Sequence, residues 1–238
     1  MNSSTGFERC LSFINCQLQP APHSLSGTVD SKFTAVTISR QAGSGGHEVA
    51  QKLSQQLQDG QSRPGSWAVF DRNLVEKALQ DHNLPTRLAR FMPEDHVSEI
   101  ADIMDELFGL HPPSWTLVRK TSQTILHLAH RGHVILIGRG ANVITSRLPH
   151  VFHVRLVGSL AKRILRLQKA NGIGQEEAWR IAKHEDLARQ RYLKQFFNKD
   201  IDDPLLYHLV INTDLMTIEE IVRLIASEMC SHPVAAAA

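Results

Sequence analysis

Cysteine is scarce in this chain of 238 residues: Cys10, Cys16 and Cys230 are the only three. None stands in CxxC or metal-ligand spacing, so the sequence predicts neither a disulfide framework nor a zinc site, and a reducing compartment fits. Long apolar runs are missing too; none approaches the roughly 20 residues that cross a bilayer. The opening MNSSTGFERCLSFINCQ has a short apolar stretch without a basic lead. That argues against a secretory signal and for a cytoplasmic protein with no membrane partner. A strong overall charge is also lacking, at +2. The balance is local: residues 155–194 carry ten Lys or Arg against four acids, a net +6, which leaves −4 for the rest. Such a confined excess suits a small anionic ligand better than a nucleic acid polymer, which needs a broad basic face.

Residues 1–32 are rich in Ser, Pro, Gln and Gly without sustained periodicity, and predict a disordered or loosely docked N-terminal tail. Residues 231–238 read as a C-terminal tail. Between them, 33–230 read as one domain. Five apolar runs have strand character: FTAVTIS (33–39), WAVFD (67–71), HVILIG (133–138), VFHVRLV (151–157) and LYHLVINT (206–213). Three are nearly continuous in Val, Ile, Leu and Phe, as parallel strands covered on both faces are. Helical patterns separate them. Val49, Ala50, Leu53 and Leu57 share one face of 47–59, and Val97, Ile100, Met104 and Leu107 share one face of 95–108. Ser159 and Thr217 read as helix N-caps, the latter forming a capping box with Glu220. Alternating strands and helices predict a doubly wound α/β layer architecture. The long helical stretch 72–131 reads as an insertion that binds a substrate. Trp115 and Trp179 are expected to anchor the core, with stacking on a base open for the one in the insertion.

The stretch TISRQAGSGGHEVAQKL (37–53) runs from a strand through a glycine-rich turn into an amphipathic helix. Glycine serves where the backbone takes positive φ or a ligand must approach closely. The helix start behind such a turn offers unpaired N–H groups and the positive end of the helix dipole, an anion site. A phosphate-binding loop normally closes on a lysine and a magnesium-binding hydroxyl. Aligning the shared Gly-Ser-Gly puts Arg40 at the first glycine, Gly46 at the lysine and Glu48 at the hydroxyl. The amide cradle of Gly43, Ser44, Gly45, Gly46 and His47 survives, and Arg40 is the nearest replacement cation. Without one, phosphate binding should weaken by about 10- to 100-fold. A dinucleotide fingerprint fails at Glu48, although Asp71 could mimic the ribose-binding acid of such folds.

Arg139, in VILIGRGAN, falls at the carboxyl end of a strand, where ligands bind in open α/β sheets. SLAKRILRLQK places Arg163 and Arg166 one turn apart. In HEDLARQRYLKQFF, Arg189 can pair with Glu185 at i,i+4 and with Asp186 at i,i+3, which leaves Arg191 and Lys194 without local partners. Taken with VFDRNLVEKAL and DPLLYHLVINTDLMTIEEIV, these stretches resemble the nucleoside monophosphate kinases, most closely the cytidylate kinase-like family, over about residues 34–226.

The resemblance implies a three-layer P-loop NTPase fold of adenylate-kinase-like type, with a five-stranded parallel sheet, a helical acceptor-binding insertion at 72–131 and an arginine-rich lid region at 159–198. It implies ATP on the glycine loop, with Mg2+ held largely by phosphates and water. Ser44, Glu48 and Asp71 are possible contacts to the ion. The acceptor would be a nucleoside monophosphate, best CMP or dCMP. Asp71 and Arg139 would bind it, Arg163 and Arg166 would bind the cofactor from the lid, and Arg40, Arg189 and Arg191 would carry the catalytic charge. Ile137 and Gly140 replace acids that flank the Gly-Arg pair in characterised cytidylate kinases. Three other readings stand beside this one: a kinase of a different small acceptor, a catalytically silent ATP-binding sensor, and a nicotinamide enzyme. His127 and His130, spaced i,i+3, have no evident third ligand and read as packing residues.

Overall fold

The computed structural model describes residues 33–59, 67–71, 100, 103, 104, 107 and 116–230. The predicted tails at 1–32 and 231–238, most of the 72–131 insertion, and Trp115 lie outside the described residues.

Five strands, β1 (Ala35–Arg40), β2 (Ala68–Phe70), β3 (Val134–Ile137), β4 (Val151–Val157) and β5 (Leu209–Asn212), form one parallel sheet in the order β2-β3-β1-β4-β5. Helices cover both faces, as an all-parallel sheet requires. They are α1 (Gly46–Asp59), α2 (Thr116–Arg131), α3 (Ala141–Ile144), α4 (Leu160–Asn171), α5 (Gln175–Phe197) and α6 (Ile218–Cys230).

The two-residue period of the strands divides the core. Val36, Ile38, Ile135, Ile137, Val154 and Leu156 pack with Val49 and Leu53 of α1 and with Ile221 and Ile225 of α6. Ala35, Val134, Leu136 and Val151 pack on the other face with Ile125 and Leu128 of α2 and Ile144 of α3. Ile100, Ile103 and Met104, from the predicted 95–108 helix, join this second cluster, and Leu107 packs against it.

Local chemistry sets the helix ends. Ser159 Oγ accepts from the N–H of Lys162 at 3.4 Å, and Gly172 closes α4 at φ 66°. Thr217 and Glu220 form the predicted capping box, with N–H to Oε2 at 2.8 Å one way and N–H to Oγ1 at 3.3 Å the other. Two expectations change. The last strand starts at Leu209 rather than 206, because Asp203 caps a 3-10 turn at Pro204–Leu206, accepting from the N–H of Leu205. Trp179 is 46% exposed rather than a core anchor. The buried residues of α5 are Ala178, Ala182 and Leu193, and the indole lies off that face.

Candidate functional site

The end of β1 carries the chain straight into the glycine turn. Gly43 has φ 75°, and a Cβ on it would stand 2.4 Å from the carbonyl oxygen of Arg163. Both the backbone angle and the close approach of α4 therefore demand glycine here. The Ser44 side chain is fully buried, and its Oγ donates to the carbonyl of Gln41 at 2.8 Å. That hydroxyl tightens the turn and faces inward. No hydrogen bond among the described residues uses the N–H groups of Gly45, Gly46, His47 or Glu48. Such donors at the start of α1, with the helix dipole behind them, are what an anion cradle requires. His47 and Glu48 are exposed beside it, and Glu48 Oε1 pairs with Lys52 Nζ at 3.0 Å.

Arg40 is placed by two glycines. A Cβ at position 46 would lie 2.9 Å from Arg40 Cγ, and one at position 138 would lie 2.1 Å from Arg40 Nη1. The arginine stem thus crosses the loop where a residue-46 side chain would start, and its guanidinium reaches the end of β3. Burial lowers the pKa of Arg40 to about 10, helped by the nearby charge of Arg189 and opposed by Glu185 and Asp71. It remains protonated at neutral pH. The same neighbourhood holds His47, whose Nε2 is 4.0 Å from Asp71 Oδ2. Although about half of that side chain is exposed, desolvation of the part facing the site and then Arg40 hold the imidazole below its usual pKa, against the pull of Asp71.

The turn after β3 is strained. Gly138, Arg139 and Gly140 take φ of 77°, 55° and 70° in succession, and a non-glycine residue at positive φ is costly. The guanidinium of Arg139 sits over the ring of Tyr192 on α5, 5.6 Å from its centroid. A Cβ on Gly140 would meet the ring of Phe197 at 2.9 Å. The later turns of α5 therefore lie against this arginine.

Four lid arginines were expected at the phosphates, and the structure separates them. Arg163 is buried; its Nε donates to the carbonyl of Gly158 at 2.9 Å, and its Nη1 donates to the carbonyl of Ala42 at 2.9 Å and to Asp186 Oδ2 at 2.7 Å. Asp186 Oδ1 in turn accepts from the N–H of Ala42 at 2.7 Å and from Nη1 of Arg189 at 3.1 Å. Arg189 also pairs with Glu185, as its i,i+4 spacing suggested. Arg166 donates to Oγ1 of Thr213 at 2.9 Å and to that residue's carbonyl, so it braces the end of β5. Arg191 is exposed. Sequence reasoning found Asp186 as a local partner of Arg189 and missed its grip on Ala42, 144 residues away. No periodicity carries such a contact. Tyr192 was missed likewise.

Among the described residues there is no cluster of three His, Cys, Asp or Glu side chains able to hold a metal ion. Nor is any described helix long and apolar enough to cross a membrane. In the strand order, β1 lies between β3 and β4, whereas in the classical dinucleotide fold it lies between β2 and β4. The nicotinamide reading is therefore disfavoured.

A parallel sheet in this order, with a glycine turn between its central strand and a helix, defines a P-loop domain of the kinase type. The profile of the cytidylate kinase-like family matches residues 35–215, and the chain belongs to that family. A crystal structure of an uncharacterized protein from Eubacterium ventriosum is similar over 84% of this chain and 99% of that one, at a TM-score of 0.56 and 17% identity. More distant are a shikimate kinase from Bacteroides thetaiotaomicron (TM-score 0.42, 11% identity, 81% of this chain and 95% of that one) and a gluconokinase from Sinorhizobium meliloti (TM-score 0.41, 11% identity, 84% and 93%). No curated protein sequence matches the chain.

Proposed function

We propose that this protein transfers a phosphoryl group from ATP to a nucleoside monophosphate in the cytoplasm, with CMP or dCMP the first acceptor to try. The observation that carries the reading is the path of Arg40 across Gly46. Where such loops close on a lysine, this chain has a glycine whose vacant space is filled by the stem of an arginine. The charge lost from one position is supplied from another.

On this reading the N–H groups of Gly45, Gly46, His47 and Glu48 cradle the β-phosphate. Phosphoryl transfer asks chiefly for positioning and for positive charge around the transferred group. Arg40 supplies that charge from the loop side and Arg189 from α5. Arg139, raised on its strained turn, grips the phosphate of the acceptor, with Asp71 beside it on the nucleoside. Arg163 acts on the loop rather than on the nucleotide. Mg2+ would neutralise charge on the phosphates. The described donors suit an ion held mainly by those phosphates and water, since Ser44 Oγ is committed to Gln41 and Glu48 to Lys52.

ADP release measured across nucleoside monophosphates and unrelated small hydroxyl acceptors tests the reading, with Arg40→Ala beside the parent. A preference for CMP or dCMP and a loss of about 10- to 100-fold in the variant are expected. Turnover only on a non-nucleotide acceptor would keep the kinase and discard the acceptor. Stabilisation by ATP with no turnover would make the protein a nucleotide-binding switch instead.

A further inference from the structure

A single carboxylate joins the glycine loop to both helices of the lid hairpin. The N–H of Ala42 is held by Asp186 from α5 and its carbonyl by Arg163 from α4, and the two holders are paired with each other. The carboxylate oxygen that accepts from Ala42 also accepts from Arg189, whose charge acts on Arg40. We propose that Asp186 is the positioning residue of this site: it sets the shape of the glycine loop before a nucleotide arrives and aims Arg189 at it. The root of the α4–α5 hairpin and the loop then behave as one body. The proposal rests on the phosphoryl-transfer reading for its kinetic part alone.

Three observations carry it. A turn containing Gly43, Gly45 and Gly46 is conformationally permissive. Ser44 closes the turn onto Gln41 from within, and Ala42 is fastened from outside, at both its N–H and its carbonyl, by the two lid helices. The carbonyl of Arg163 presses on Gly43 at a distance that admits no side chain, so α4 and the turn are already in contact. Finally, a bare acid next to a phosphate cradle would repel the ligand, but here two guanidiniums neutralise it. A cradle held rigid in advance needs no reorganisation as charge moves in the transition state. Asn at position 186 offers Ala42 only a neutral, weaker acceptor, takes the carboxylate away from Arg163 and leaves Arg189 with Glu185, so it tests the charge itself.

The experiment compares Asp186→Asn with Arg180→Ala, which breaks an exposed ion pair with Glu176 on the same helix. Hydrogen exchange is read residue by residue without nucleotide. The Ala42 amide is expected to exchange at least about tenfold faster in Asp186→Asn, with faster exchange along residues 180–192 and no change in β1, β3 and β4. Arg180→Ala should match the parent. In the phosphoryl-transfer assay, kcat should fall by about 10- to 100-fold with the KM for ATP within about threefold. Unchanged protection of Ala42, or a loss carried wholly by KM, overturns the proposal. Should Asp186→Asn not fold, Asp186→Glu replaces it. Its charge on a longer arm is expected to keep the arginines paired but to free Ala42, and unchanged protection there counts equally against the idea. A parent without transfer to any acceptor defeats the functional reading, and the exchange result then decides the role of Asp186 by itself.

Discussion

Arg40 and Gly46 share one space: a Cβ at position 46 would lie 2.9 Å from Cγ of the arginine. The two residues are six apart in the chain and interlock across the mouth of the glycine turn. Gly46→Ala should therefore push the arginine stem off its path. Overpacking of this kind costs about 1–3 kcal/mol, and the displaced guanidinium should lower kcat as well. Gly46→Lys alone, which restores the usual loop lysine, is expected to fail for the same reason. Arg40→Gly with Gly46→Lys should recover activity relative to either single change. The rates of the four proteins check this, and additive losses in the double variant would rule out the interlock.

The backbone at Arg139 makes a second expectation specific. With φ at 55° between two left-handed glycines, the residue bears a conformational cost of about 1–3 kcal/mol. Its stack on Tyr192 returns about 0.5–1 kcal/mol. Arg139→Gly should therefore relieve that strain, while the KM for the acceptor rises by about tenfold or more through loss of a charge-assisted contact. A lower melting temperature with an unchanged KM would make the arginine a structural residue.

These two sites show what the sequence made legible. The sheet was readable because strands buried on both faces must be apolar without interruption, as in VILI and in VFHVRLV. The capping box at Thr217 and the Glu185 and Asp186 pairs with Arg189 were readable because they are local. The packing of Arg40 beside Gly46 was within reach because the alignment of glycines left a charge unaccounted for and made this arginine the nearest cation. The joint between Asp186 and Ala42 was not, since it spans most of the domain. Nor was the division of labour among the arginines. Arg163, Arg166, Arg189 and Arg191 look alike as letters, and differ only in which backbone carbonyls and acids the fold brings beside them.

Acid should loosen the core through two histidines. His127 and His153 are buried, and desolvation lowers each to a pKa of about 4, with His208 adding to the effect at His153. The unfolded chain binds these protons near pH 6.5, earlier than the folded one. Stability is therefore full above about pH 6.5 and falls as pH drops toward 4, by up to about 1.4 kcal/mol per unit for each histidine. His153 also shares a 2.8 Å contact between Nδ1 and Oγ1 of Thr37 across the first and fourth strands. Urea midpoints at pH 7, 6 and 5 test the slope, and His153→Gln should flatten it. An unchanged slope in that variant would assign the acid sensitivity elsewhere.

Arg189 and Arg191 provide the sharpest contrast within the lid. They lie two positions apart on α5, so they point to different sides of the helix. Arg189 is held by Glu185 and Asp186 within the electrostatic reach of Arg40, whereas Arg191 is exposed. Truncation of a guanidinium that contacts the transferred group should cost about 10- to 100-fold in kcat, and truncation of an exposed one much less. Arg189→Ala is thus expected to be slower than Arg191→Ala by about tenfold or more at saturating ATP. Melting temperatures measured beside the rates separate catalysis from folding, because Arg189→Ala also leaves Glu185 and Asp186 with less compensation. If Arg191→Ala proves the slower enzyme, α5 must rotate or shift on nucleotide binding to bring its outer arginine inward.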